Sequence, residues 1–182
     1  MGVDFGIKKF SPDHPCWKMI LKEINKSSLK MENGYVNSND GGIVPDDLRI
    51  SDVSFLDDST ELSNMLYNLV MDYNYNISKW KWDVRGLSDS PQYTIYNKGG
   101  QYGWHCDTEP SKSDTYDPLL VRKISISIFL NDPDEYEGGE LDIEFKSPRY
   151  NPRYETFKLS KGSVLIFPSD KWHRVRPVIS GV

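Results

Sequence analysis

Two histidines and one aspartate carry the most legible chemistry in this chain. In His105-Cys106-Asp107 the outer residues are two apart, so on a strand both side chains point to one face while Cys106 points to the other. His173 would complete a set of two imidazoles and one carboxylate around a single divalent ion. Such a set holds Fe(II) through three adjacent positions and leaves the others open to reactants. Zn(II) with a water in the fourth position accepts the same donors. The chain has 3 histidines, and two of them stand in this pattern. The other, in Asp13-His14-Pro15-Cys16, reads as a turn residue and not a ligand.

An ion shared by these residues needs distant strands brought side by side. Trp172-His173-Arg174-Val175-Arg176-Pro177-Val178 reads as one strand, after the strand-like Gly162-Ser163-Val164-Leu165-Ile166-Phe167 and a Pro168-Ser169-Asp170 turn. Within 122–130, Ile124, Ile126, Ile128 and Leu130 fall on one face, and Lys123, Ser125, Ser127 and Phe129 on the other. The apolar face suits contact with helices; the small polar face suits an interior that admits a water-soluble cosubstrate.

Upstream, Trp17, Ile20, Leu21 and Ile24 have helical spacing. A second helix is predicted from an Asp58 or Ser59 cap, with Leu62, Met65, Leu66, Leu69, Val70 and Tyr73 on its buried face. Residues 32–48 read as a loop. From Lys79 the pattern changes to period two, Trp80, Trp82 and Val84 against Lys81, Asp83 and Arg85, which predicts a strand. Turn residues at Gly99-Gly100, Asp132-Pro133-Asp134, Ser147-Pro148 and Lys161-Gly162 separate further strands. The expected fold class is mainly β, a double-stranded β-helix (jelly roll) with N-terminal bracing helices, α+β in composition. It would form a single domain over 1–182, with helical support over about 15–75 and the core over about 79–182.

Around the triad the sequence resembles a known family. Gln92-Tyr93-Thr94-Ile95-Tyr96, Gly100-Gln101-Tyr102-Gly103-Trp104-His105-Cys106-Asp107, Arg122 through Asn131, Tyr136-Glu137-Gly138-Gly139-Glu140-Leu141, and Lys161-Gly162 through His173-Arg174-Val175 occur in order. Together they resemble the Fe(II)- and 2-oxoglutarate-dependent oxygenases of the prolyl 4-hydroxylase-like branch, in their small bacterial and phage form. Arg49-Ile50-Ser51 and the stretch from Asn74 to Gly86 also fit that subgroup. The resemblance implies Fe(II), 2-oxoglutarate and O2 as cofactor and cosubstrates, with ascorbate as an optional reductant. It implies hydroxylation of a peptide or protein residue, proline first, with release of succinate and CO2. His105, Asp107 and His173 would be both the metal ligands and the catalytic set.

The resemblance also implies a tyrosine near the start of the motif that reaches cosubstrate or substrate, here Tyr96. It further implies a cation on the strand after the second histidine, to hold the distal carboxylate of 2-oxoglutarate. Val182 falls just short of that position, so either the cation and the final strand lie past Val182, or another cation substitutes: Lys123, which shares the face of Ser125 and Ser127, or Arg176. Arg174 alternates with His173 and should point outward; Tyr102, three residues before His105, should face away from it and pack. Gly138-Gly139 is expected to serve backbone geometry. The loop after the metal strand, from Thr108 to Pro118, is polar and a candidate substrate lid. Two other classes stay open: a non-catalytic jelly-roll binding module, and a zinc hydrolase, for which no H-E-x-x-H helix speaks.

Composition adds bounds. The chain is 37% apolar and 27% charged with a net charge of -5, which argues weakly against a nucleic-acid partner. No apolar run is long enough for a bilayer and the N-terminus lacks an apolar h-region, so no membrane partner and a cytoplasmic location are expected, in a host cytoplasm if the source is viral. Cys16 and Cys106 are isolated and read as reduced thiols. Alanine is absent while Asn, Lys, Ile and Tyr abound, a coding bias that fits an AT-rich viral or bacterial genome and carries no chemistry.

Overall fold

Strand β11 (Ser163–Pro168) divides the molecule into two cores, because alternate side chains of a strand leave on opposite faces. Val164 and Ile166 face a helical layer, while Leu165 and Phe167 face a second sheet; all four are essentially excluded from solvent. The computed structural model describes residues 5–26, 28–34, 48–56, 60–108, 121–146 and 149–182.

The central three-stranded sheet has the order β1 (Gly6–Lys9), β11, β7 (Ile124–Ile128). The second sheet has the order β10 (Tyr154–Phe157), β9 (Leu141–Glu144), β12 (His173–Val175), β6 (Gln101–His105), β3 (Arg49–Ile50). Smaller pairings join β13 (Val178–Ser180) to β8 (Glu137–Gly138), and β4 (Asp52–Phe55) to both β2 (Glu32–Asn33) and β5 (Gln92–Ile95). The strand pairs are antiparallel.

Helices α1 (Pro15–Ile24) and α2 (Thr60–Asp72) cover the outer face of the central sheet. α1 begins two residues before the predicted Trp17, because Pro15 suits the first helical position and the His14 ring nitrogen caps the amide of Cys16. α2 buries Leu62, Leu66 and Val70, with Met65 and Leu69 beside them, as its periodicity predicts; its expected cap at Asp58 or Ser59 lies outside the described residues. Against this layer stand Ile124, Ile126, Ile128 and Leu130. Phe129 joins Leu141, Ile143, Phe157, Leu165 and Phe167 between the sheets. The two faces of the 122–130 segment therefore separate as the alternation requires.

The strand predicted from Lys79 does not form. α2 continues into one π-helical turn, Tyr73–Ile77, closed by Ser78, whose amide and hydroxyl both reach the Tyr73 carbonyl. Lys79 and Lys81 then take positive φ of 58° and 56°. Buried Asn74 supplies the pairing that a neighbouring strand would otherwise give: its Nδ2 donates to the Trp82 carbonyl and its Oδ1 accepts from the Trp82 amide. Left-handed residues at alternate positions thus accompany the period of two without a ladder, and Trp80 stacks on Trp82 at 4.7 Å. Gly138 and Gly139 both have positive φ, and the Pro177 carbonyl lies 2.2 Å from where a Gly138 Cβ would stand. Among the described residues no helix is long and apolar enough to cross a membrane. The predicted lid lies almost wholly within 109–120, outside the described residues.

Candidate metal centre

β12 and β6 run antiparallel with His173 directly opposite His105, so both imidazoles leave the same face of the second sheet, toward the space between the sheets. Asp107 follows β6 by two residues, and its backbone amide is held by the Ser169 carbonyl at 3.1 Å. One donor atom from each of His105, Asp107 and His173 lies within 4.8 Å of the others. Asp107 Oδ1 is 3.9 Å from His105 Nε2 and 3.8 Å from His173 Nε2.

The remaining polar atoms of the three side chains are already engaged. His105 Nδ1 meets the Gly103 carbonyl at 2.9 Å and His173 Nδ1 meets the Lys171 carbonyl at 2.9 Å. A carbonyl only accepts, so each Nδ1 carries the proton and each Nε2 presents a lone pair. Burial, reinforced by the neighbouring His173, pushes the His105 imidazole down to about 4, which keeps it neutral at physiological pH. Asp107 Oδ2 accepts from the Ser125 hydroxyl, and Ser125 Oγ lies 2.8 Å from Ser169 Oγ. Since the one hydroxyl proton of Ser125 goes to the carboxylate, Ser169 must donate to Ser125. Two bare imidazole nitrogens and one free carboxylate oxygen therefore converge, a donor set that fits Fe(II) and is oriented by hydrogen bonds behind it.

Ser125 was expected to face a cosubstrate; the structure engages it with the carboxylate of the triad. Ser127 shares its face, opposite Leu165. Ser169, fully buried, ties the turn before β12 to Asp107, Thr108, Lys123 and Ser125, and nothing in the sequence beyond its place in a Pro168-Ser169-Asp170 turn announces it.

Tyr102 departs from expectation. Its ring stacks on that of His105, 3.6 Å between centroids and 12° between planes. The cause is a bulge: Val175 and His173 are two apart, yet their partners Tyr102 and His105 are three apart. The extra residue reverses the alternation and places Tyr102 on the ligand face. Trp104 falls on the other face, under the Arg174 guanidinium at 4.8 Å.

The two cations singled out in the sequence are committed elsewhere. Arg176 sits on the same face as Arg174, since they are two apart, and both donate to Asp142, which lies opposite Arg174 and faces away from the neighbouring Ile143. The guanidinium of Arg176 is thus on the far side of the sheet from His173, which removes it from the cosubstrate candidates; Arg174 points outward as its parity requires. Lys123 is half-buried and donates to the Asp83 carbonyl at 2.7 Å. Tyr96, in contrast, is half-buried close to the site, and desolvation pushes its phenol up to about 12 despite the nearby Arg49 guanidinium. Arg49, on β3 and directly opposite Tyr102, lies 4.8 Å over the Tyr102 ring. The sequence marked it only as part of Arg49-Ile50-Ser51. Cys106 has its thiol on the Thr108 carbonyl, and Cys16 is buried in the helical core, where desolvation pushes its thiol up to about 11.

Comparison with known proteins agrees with this geometry. A PKHD-type hydroxylase of Teredinibacter turnerae is 38% identical over 95 residues, covering 50% of this chain and 38% of that protein. A PKHD-type hydroxylase of Xylella fastidiosa strain M12 is 40% identical over 96 residues, covering 50% of this chain and 40% of that protein. The matched part is thus well under half the length of these relatives. Among solved structures, a Pseudomonas putida prolyl-4-hydroxylase superposes with a TM-score of 0.63 at 15% identity, over 97% of this chain and 87% of that one. A Trichoplax adhaerens prolyl hydroxylase in complex with a hypoxia inducible factor oxygen degradation domain peptide fragment gives a TM-score of 0.68 at 16% identity, over 97% and 79%. The model of the 2OG-Fe(II) oxygenase superfamily matches residues 91–182, the half of the chain that holds all three converging side chains, and the chain belongs to that family.

Proposed function

We propose that this chain is an Fe(II)- and 2-oxoglutarate-dependent dioxygenase that hydroxylates a peptide or protein residue, proline first, with release of succinate and CO2. The observation that carries the reading is the convergence of His105 Nε2, His173 Nε2 and Asp107 Oδ1 while every other polar atom of those side chains is occupied. In this reading the three residues hold Fe(II), and the ion, when bound, supplies the redox chemistry that couples 2-oxoglutarate and O2 to hydroxylation. The chain's own contribution is orientation. Ser169 and Ser125 fix the carboxylate, the Gly103 and Lys171 carbonyls fix both imidazole tautomers, and Tyr102 fixes the plane of His105. Tyr96 and Ser127 line the space on offer to the cosubstrate. The two main sheets are then the walls of a double-stranded β-helix, in one domain with α1 and α2 bracing it. Proline is supported by the fold shared with two prolyl hydroxylases, one of them holding a peptide fragment.

Supplied with Fe(II), 2-oxoglutarate, ascorbate and air, the purified protein should form succinate and add one oxygen atom to a proline-bearing peptide, read by mass spectrometry. His105→Ala and His173→Ala should abolish both and retain no iron while staying folded by circular dichroism. Stoichiometric iron in His173→Ala, or peptide cleavage with Zn(II) in place of succinate formation with Fe(II), would overturn the reading.

A further inference from the structure

Arg49 differs from five other arginines of the chain. Arg85, Arg122, Arg153, Arg174 and Arg176 each meet a carboxylate, of Asp83, Asp89, Glu144, Asp142 and Asp142 respectively. Arg49 is half-buried, and among the described residues its hydrogen-bond partners are neutral, Ser51 Oγ at 2.9 Å and Gln92 Oε1 at 2.7 Å, with the Tyr96 phenol nearby. These groups hold the guanidinium in place without neutralising it. A partly desolvated cation in that state gains most from an anion, and a guanidinium fork matches a carboxylate in two parallel hydrogen bonds.

Its position is as telling as its charge. Arg49 stands directly opposite Tyr102 in the β3–β6 pairing, so the two share a face, and the bulge makes that face the one that carries His105. Arg49 lies 4.8 Å from the centre of the Tyr102 ring, on which the His105 ring stacks at 3.6 Å. A small anion bound there lies against Tyr102, the residue whose ring stacks on that of His105.

We propose that Arg49, supported by Tyr96 and Gln92, is a carboxylate-binding subsite next to the metal centre, for the second carboxylate of the 2-oxo acid or for a carboxylate on the substrate. The proposal rests on the reading of His105, Asp107 and His173 as a metal site. Tyr96 and Gln92 are positioning residues in it, and the guanidinium supplies the charge.

Calorimetry on the Mn(II)-loaded protein tests it with two pairs of probes. The first pair is 2-oxoglutarate and 2-oxopentanoate, which differ only in the distal carboxylate. The second, added with 2-oxoglutarate present, is a proline peptide with an adjacent aspartate and its asparagine twin. The wild-type protein should prefer the acidic member of at least one pair by about tenfold or more. Arg49→Gln should erase that preference and Arg49→Lys should keep part of it. Loss within the first pair assigns the subsite to the cosubstrate, and loss within the second assigns it to the substrate. Preferences that survive Arg49→Gln, or that the wild-type protein lacks in both pairs, overturn the proposal. Wild-type protein that fails to take up Mn(II) instead fails the metal reading on which it rests, and the subsite falls with it. Should Arg49→Gln not fold, phenylglyoxal labelling of the wild-type protein gives the same answer. An acidic probe should shield Arg49 where its neutral twin does not, and equal labelling under all four probes is the contrary result.

Discussion

The Ser125 hydroxyl donates to Oδ2 of Asp107, from a strand of the central sheet to the carboxylate that follows a strand of the other. This bond leaves Oδ1 as the one carboxylate oxygen turned toward both histidines. Ser125→Ala should free the carboxylate to rotate and lower metal affinity by about 10- to 100-fold, the usual cost of losing a partner behind a ligand. Competition of Co(II) or Fe(II) against a chelating dye measures it, and an unchanged affinity would show that Ser169 and the backbone suffice.

On the outer face of the second sheet, Asp142 is fully buried beneath Arg174 and Arg176. Burial alone would raise its carboxyl, but hydrogen bonds from Arg176, Thr156 and Arg174 outweigh it and hold the group below the usual carboxylate range. A depressed folded value means that the unfolded chain takes up the proton first, so the stabilisation is complete above about pH 4 and is lost as pH falls through the folded value. Asp142→Asn should be less stable at neutral pH and show a shallower loss in acid. Urea midpoints between neutral pH and pH 3 decide it; parallel curves for the two proteins would contradict the assignment.

Asn74 replaces a strand partner for Trp82 through two hydrogen bonds. Asn74→Ala should leave the Trp82 amide and carbonyl without those bonds and destabilise the fold by about 1–3 kcal/mol for each group left unsatisfied. The near-ultraviolet dichroism of the Trp80–Trp82 stack should fall in parallel. Full retention of that signal would mean that the segment holds itself.

His14 caps α1 and stands apart from the three converging side chains. His14→Ala should cost about 1 kcal/mol of stability through the lost cap and leave iron content and turnover unchanged. Reduced iron in this variant would show that the metal site has been misassigned.

How much of this was legible in the residues follows from the range of each interaction. The alternation of Ile124, Ser125, Ile126, Ser127 and Ile128 fixes which side chains meet helices and which meet the other sheet, since a strand sends neighbours to opposite faces whatever it packs on. The two-residue spacing of His105 and Asp107 and the motifs around His173 marked one shared site for the same local reason. The placement of Tyr102 could not be read that way. It depends on a bulge, and a bulge is a mismatch between two strands that neither strand encodes alone. The segment after Lys79 shows a period of two because Asn74 reaches it from the preceding helical turn, a side-chain bond that periodicity cannot distinguish from a ladder. Arg176 and Lys123 looked free in the sequence because their partners, Asp142 and the Asp83 carbonyl, arrive from distant segments. Ser169 and Arg49 were marked only as members of a turn and of Arg49-Ile50-Ser51, for the converse reason: a serine in a turn and an arginine beside a loop gain their meaning from where the other strands place Asp107 and Tyr102. Residue types and spacing determined which groups could hold a metal. Tertiary structure decided which hydroxyl steadies the carboxylate and which cation lies over Tyr102 with neutral hydrogen-bond partners among the described residues, because both depend on contacts between chain segments far apart in sequence.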